Sequence, residues 1–301
     1  TNTNLKFKWY FGPNDYDVLS SVDNNYEDIL NFGPGLFRWI NEYAIQPIFT
    51  FLMKMGLSVG ISILFLTIIL KLFLMPVQWK MFTSSVKMKI LKPEIEELNK
   101  KYPNKEDAMK KQMDMMNLYR DSGASPLAGC VPMLIQMPIL LAVFKFFPAS
   151  FILRQKSFLW AEDLSSFDSI LDLSFSIPLY GDHVSLFTLL MTATTVLQMK
   201  YSNSMSGSNA QMPQMKYMMY FMPVIFLGVM NSYAAALSYY YFLANLITFG
   251  QQKLIGSMID DSVLLAKMEE KKQNAPVKGK SKFQARLEKM MKDQQEAQKR
   301  K

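Results

Sequence analysis

Apolar positions cluster into five stretches of about 20 residues, at 56–77, 126–148, 183–201, 215–231 and 239–255. At 1.5 Å per residue, each is long enough as a helix to cross a hydrocarbon core about 30 Å thick. Lipid offers no partners to backbone polar groups, so spanning segments must be helical. The pattern therefore predicts an all-α polytopic membrane protein. Other periods fill the gaps. "LKFKWYF" at 5–11 puts Leu5, Phe7, Trp9 and Phe11 on one face and Lys6, Lys8 and Tyr10 on the other. That period of two predicts a strand, the β remnant of a domain ending within 1–31 whose body lies upstream. The chain opens on Thr1 in mid-pattern, so upstream sequence is expected to be missing. Residues 32–55 read as an amphipathic interfacial helix broken at Pro47, with Trp39 and Tyr43 at headgroup level. In 78–125, Met88, Leu91, Ile95 and Leu98, then Met109, Met113 and Met116, recur at helical spacing on either side of "YPN" at 102–104. This predicts an antiparallel helical hairpin. Segments 149–182, 202–214 and 232–238 read as a polar loop, a linker and a turn. Residues 256–301 form a charged tail whose second half should be disordered or only partly helical when free.

Charge orients the spans. The hairpin segment holds 10 Lys and Arg, and the tail from Lys253 onward holds 13. The loop 149–182 holds two and the turn 232–238 none. The positive-inside rule places hairpin and tail in the cytoplasm, with the N-terminal region outside.

Composition removes several chemistries. There is one cysteine, Cys130, and one histidine, His183, so no internal disulfide, histidine metal site or histidine-based triad is expected. No phosphate-binding GxxxxGK[ST] loop occurs, so nothing points to nucleotide hydrolysis. No cofactor is expected and the chain is not read as an enzyme.

One lysine changes the picture. Lys71 sits in "TIILKLFLMP" (67–76), inside the first span. A charge there costs about 2.5–3.5 kcal/mol on insertion scales. Its stem could snorkel to the interface, or the amine could face a wet cavity inside the bundle. Thr67 lies one turn before it and Gln78 two turns after, giving a polar stripe. Other spans carry Gln136, Gln198, Asn231, Tyr240, Tyr241, Asn245, Thr248 and Gln251, each needing a partner or water in lipid. No span holds an Asp or Glu, which argues against a proton relay or a coupled cation transporter. The 24 methionines fill core gaps or build an adaptable apolar surface for varied partners. The basic tail is a solvated or anionic-lipid-contacting segment, or a docking arm for ribosomal RNA; it carries no sequence readout of DNA.

These residues resemble a known family. "SPLAGCVPMLIQMPILLAVF" (125–144) is similar to the NPxxGCxPxLIQxPIxxAxY stretch of the YidC-type membrane protein insertases, which have mitochondrial and chloroplast relatives. "FLTIILKLFLMPVQWKMFTSSVKMKILKPEIEEL", "YMMYFMPVIF" and "YYYFLANLITFGQQKLI" resemble its first conserved span with the start of the hairpin, and its last two spans. The match runs from about 32 to 259. The resemblance implies five transmembrane helices around a hydrophilic groove, open to cytoplasm and lipid and closed outside. It implies that the strand at 5–11 is the exit of a periplasmic domain and that an earlier span is absent. It places the groove's single cation, usually arginine, at Lys71. It places further groove residues at Thr67, Gln198, the tyrosine pair Tyr240 and Tyr241, and Thr248; Gln136, Asn231, Asn245 and Gln251 are secondary candidates. "NSYAAAL" (231–237) departs from the family's Phe-Pro-x-Gly-Leu turn. The implied partners are nascent membrane proteins and the bilayer of a bacterial inner membrane. Ribosomes and targeting machinery would be met through hairpin and tail, and the Sec translocon would work alongside. The alternatives are a small-solute or anion transporter or channel, and an assembly factor without insertase action.

Overall fold

A computed structural model describes residues 9–22, 25–103, 107–124, 131–206 and 213–273. Most of the strand expected at 5–11, the stretch 125–130 and the second half of the tail lie outside the described residues; Trp9 to Phe11 are not in a strand. The described chain is mostly helical and forms two compact units. The first takes in described residues up to Pro76, those of 133–201 and those of 214–251. The second takes in those of 77–132, those of 202–213 and those from 252 on.

In the first unit, α1 (Tyr16–Ser21) starts where Asp15 Oδ1 accepts from the backbone N–H groups of Asp17 and Val18. Helix α2 (Leu36–Ile40) then passes into a π-turn (Asn41–Ile45) and α3 (Gln46–Lys54). The sequence suggested a break at Pro47. The structure instead puts Pro47 in the first turn of α3, where a missing N–H costs nothing. Distortion falls one turn earlier: the Gln46 N–H reaches back five residues to Asn41. This turns Asn41 inward, where its Nδ2 donates to the carbonyls of Phe32 and Ala142, each at 2.9 Å.

Helix α4 (Val59–Phe73) is apolar on nearly every side. Val59, Ile63, Leu66 and Leu70 are buried at spacings of three and four, while Ile61, Phe65, Ile69 and Phe73 face outward. The helix ends at Leu74, and α5 (Met75–Ile90) restarts with Pro76 in its first turn. The proline lacks the N–H that would continue α4, and its ring clashes with the preceding turn. The stripe expected through residues 67, 71 and 78 is therefore interrupted. Helices α8 (Val131–Ala149), α9 (Leu186–Ser206), α10 (Pro213–Met230) and α11 (Ala235–Met258) follow. Among the described residues, no single helix is long and apolar enough to cross a membrane; α4 and α5 pass only as a pair across their break. Helix α9 is about 31 Å long at 1.5 Å per residue, but Thr188, Thr192, Thr194, Thr195 and Gln198 dilute its apolar character.

The stretch 149–182 is more ordered than a polar loop. Strands β1 (Leu171–Ile177) and β2 (Gly181–Val184) pair antiparallel, with Leu171 opposite Val184 and Ile177 opposite Gly181. The alternation in "LDLSFSI" is the strand signal. The hairpin tip rests on α10: a Cβ at Gly228 would lie 2.6 Å from the Leu179 carbonyl oxygen. Gly60 of α4 is likewise covered by the Phe158 ring.

The second unit contains α5 from Val77 onward, α6 (Lys92–Lys101), α7 (Ala108–Asp121) and α12 (Asp261–Gln273). Met88, Leu91 and Ile95 are buried, as the hairpin pattern predicts. The facing stripe on α7 differs. Tyr119 is buried there with Met115 and Leu118 packed beside it, whereas Met113 is exposed. The larger ring of Tyr119 takes the seam, rotating the stripe away from 113 and 116. The Met109 side chain lies outside the described set. The tail's first part is a further helix on this seam: Met268 is buried among Met88, Leu91, Ile95 and Tyr119, Lys272 Nζ lies 2.6 Å from Glu94, and Lys89 Nζ lies 3.2 Å from Asp261.

Candidate functional site: a buried lysine in a polar cluster

The break at Leu74 builds the site. Ending α4 there leaves its last carbonyls without intrahelical donors. The Lys71 carbonyl receives one from outside: Gln251 Nε2 of α11 donates to it at 3.1 Å. The Lys71 side chain, in the last turn of α4, is buried, with 4% of its surface exposed. Its Nζ donates to Gln136 Oε1 of α8 at 3.2 Å. Three helices thus meet at one lysine through neutral groups. Among the described residues, no carboxylate pairs with it. The negative end of the α4 dipole is the nearest compensation, worth about 0.3–1 kcal/mol.

About three turns before Gln251, α11 also carries the tyrosine pair. Tyr240 is buried against Phe147 and Tyr241, with ring centroids 5.9 and 5.8 Å apart. Tyr241 also meets Phe226 edge-on at 6.0 Å. The Tyr241 hydroxyl and Gln251 Oε1 are buried without a hydrogen-bond partner among the described residues. Such groups are rare in folded chains.

The other expected site residues fall elsewhere or turn inward. The Thr67 and Thr248 hydroxyls each donate to a carbonyl of their own helix, Ile63 and Ala244, at 2.7 Å. Gln198 is half-buried on α9. Asn245 joins α11 to α9, donating to Thr195 Oγ1 at 2.6 Å. Thr195 shares a face with Thr188, Met191 and Gln198, a spacing visible in the sequence that the sequence reading passed over. Asn231 is not tied to Lys71. It staples the β-hairpin: Oδ1 accepts from the Ser185 N–H at 3.0 Å, and Nδ2 donates to the Tyr180 and His183 carbonyls at 2.9 and 2.7 Å. His183 returns the contact through Nε2 to the Asn231 carbonyl at 2.9 Å. The hydrogen bond of its other nitrogen with Asp182 holds that carboxyl below the ordinary carboxylate range. Nearby, buried Asp168 accepts from Trp160 Nε1, Ser185 Oγ and the Phe187 N–H, capping the start of α9. So the groups bonded directly to Lys71 are Gln136 and Gln251. The lysine's cost in apolar surroundings was legible in sequence; its partners, 65 and 180 residues away, were not.

Around the cluster, large apolar side chains face outward. Phe65 and Phe73 on α4, Leu134 and Met137 on α8, and Phe221 and Ile225 on α10 are all exposed. A chain in water rarely leaves so much apolar surface open. Outward apolar faces around a buried polar cluster define a helical membrane protein. The sequence matches the family described as 60Kd inner membrane protein over residues 50–262, and the chain belongs to that family. It is 46% identical to the membrane protein insertase YidC of Bacteroides fragilis over 296 residues, covering 96% of this chain and 48% of the relative. To the YidC insertase of Parabacteroides distasonis it is 46% identical over 307 residues, covering 98% and 48%. To that of Amoebophilus asiaticus it is 45% identical over 282 residues, covering 94% and 46%. The chain spans about half the length of the curated relatives it matches.

Proposed function

We propose that the chain is the membrane-embedded part of an insertase that moves nascent proteins into a bacterial inner membrane. The carrying observation is Lys71, a buried cation whose partners are a glutamine and a helix end rather than a carboxylate. An amine held this way has donors left for a transient acidic group. A permanent carboxylate partner would compete with the substrate.

The proposed mechanism is physical. Five helices surround a groove open to the cytoplasm and lipid, with hairpin and tail cytoplasmic and the β-hairpin outside. Lys71, with Gln136 and Gln251, holds the hydrophilic and often acidic tail of the substrate. The tyrosine pair and Gln198 extend that polar path. The substrate's apolar segment slides along the outward apolar faces of α8 and α10 into lipid. Burial of that segment, at about 25 cal/mol per Å², drives the step together with the membrane potential, and the protein lowers its barrier. No covalent chemistry and no cofactor are needed. Ribosomes and targeting factors dock on the hairpin and basic tail, and the Sec translocon works beside the groove for larger substrates.

The protein reconstituted in vesicles should insert a short single-span substrate without ATP. Solute flux without insertion would instead mark a transporter using Lys71 as an anion site. Normal insertion of simple substrates after depletion in cells would mark an assembly factor.

A further inference from the structure

Where α8 gives way to the 3₁₀ turn Phe151–Leu153, the first unit holds a cavity of about 440 Å³. Lys145 and Arg154 both line it, and no Asp or Glu does. Among the described residues neither cation forms an ion pair. The neighbouring acids are engaged elsewhere. Asp28, beside the lining Ile29, pairs with Arg38. Asp163, within electrostatic reach of Arg154, accepts from the Ser165 N–H and hydroxyl. Two like charges on one cavity repel, and an anion between them turns that repulsion into attraction.

The walls add selectivity. Asn14 and Asn31 bring amides, and Phe144 and Tyr233 form an aromatic side with centroids 5.0 Å apart. Gly33 backs the Lys145 stem, with φ of +86° and room for no more than a close contact. A guanidinium fork grips two oxygens of a phosphate, an ammonium adds a point charge, and amides donate to what remains. Aromatic and proline walls suit a glycerol backbone better than bare water. We propose that this cavity is a phosphate-ester site, with Lys145 and Arg154 as its cationic contacts. The headgroup of an anionic phospholipid and a soluble phosphate share that chemistry. The lipid source rests on reading α8 as a membrane helix: its outward apolar residues Leu134, Met137 and Leu141 lead up to the cavity, which then lies at headgroup level.

The test uses the full chain in mild detergent. Phosphatidylglycerol retained in mild detergent is counted by native mass spectrometry, beside a Lys145→Gln/Arg154→Gln double variant. The wild type should bind it about 30-fold more tightly, since each basic group near an anionic surface contributes about 1 kcal/mol. Lys145→Arg should keep the lipid. Inorganic phosphate and glycerol phosphate form the second arm. Displacement by either assigns the site to a soluble phosphate; resistance to both assigns it to the lipid headgroup. Equal retention by wild type and double variant overturns the proposal. Insertion by Lys71→Glu is followed in the same preparations: unimpaired insertion overturns the groove reading, while lipid retention decides this one separately.

Discussion

Asn231 lies in a predicted groove but is bonded to a β-hairpin, and replacing it with alanine separates the two roles. The side chain makes three hydrogen bonds, to the Ser185 N–H and to the carbonyls of Tyr180 and His183, all at 3.0 Å or less. Asn231 is fully buried. Truncation leaves three backbone groups without their partner. At about 1–1.5 kcal/mol each, the loss is about 3–4.5 kcal/mol. That raises the population with a detached hairpin by about 10²–10³-fold. Asn231→Asp should cost at least as much, because a carboxylate would face two carbonyl oxygens in a buried site. Proteolysis within 171–184, followed over time in mild detergent, reads the detachment directly. Insertion of simple substrates should fall only in proportion to the folded fraction. An Asn231→Ala protein that resists proteolysis as wild type does, yet fails to insert, would refute the staple and return Asn231 to the groove.

Other perturbations test the packing and the tail. Gly228→Val should displace the hairpin tip, since even a Cβ meets the Leu179 carbonyl oxygen at 2.6 Å; faster cleavage within 171–184 is the readout. Met268→Asp should detach α12 from the hairpin, because burial of a Met side chain contributes about 1.5–3 kcal/mol while the two flanking ion pairs are solvent-exposed and worth about 0–1 kcal/mol each. Hydrogen exchange across 261–273 should then rise towards that of a free helix, while Lys272→Ala alone should change it little. Gln251→Leu should leave the Lys71 carbonyl unpaired and fray α4 at its end, seen as faster exchange at residues 70–74.

Different parts of the molecule were legible to different degrees. Helix α4 follows from its continuous apolar run, and the buried stripe of α5 and α6 from three- and four-residue spacing, whereas on α7 the methionine spacing pointed to Met113 and the buried residue is Tyr119. The break at Leu74 was encoded by Pro76, though its effect on the Lys71 carbonyl needed the neighbouring helix. Pro47 was misleading, since the same residue that ends a helix interior is welcome in a first turn. The β-hairpin was hidden in a stretch read as polar, although "LDLSFSI" alternates. Asn231 could not be assigned from sequence: its partners are mainly backbone groups 46–51 residues away, and any residue supplies those. Helix α12 was masked by its charge, which outweighed the Leu264–Met268 pair at four-residue spacing.

The central claim is that Lys71 acts through its charge. Insertion of a substrate with an acidic translocated tail, in reconstituted vesicles at physiological salt, tests it with Lys71→Arg, Lys71→Ala and Lys71→Glu in parallel. Arginine keeps the cation and should insert like wild type; alanine should be impaired and glutamate more so, while a substrate with a neutral tail is affected less. Glutamate at position 71 inserting the acidic-tailed substrate as well as lysine does would contradict the account.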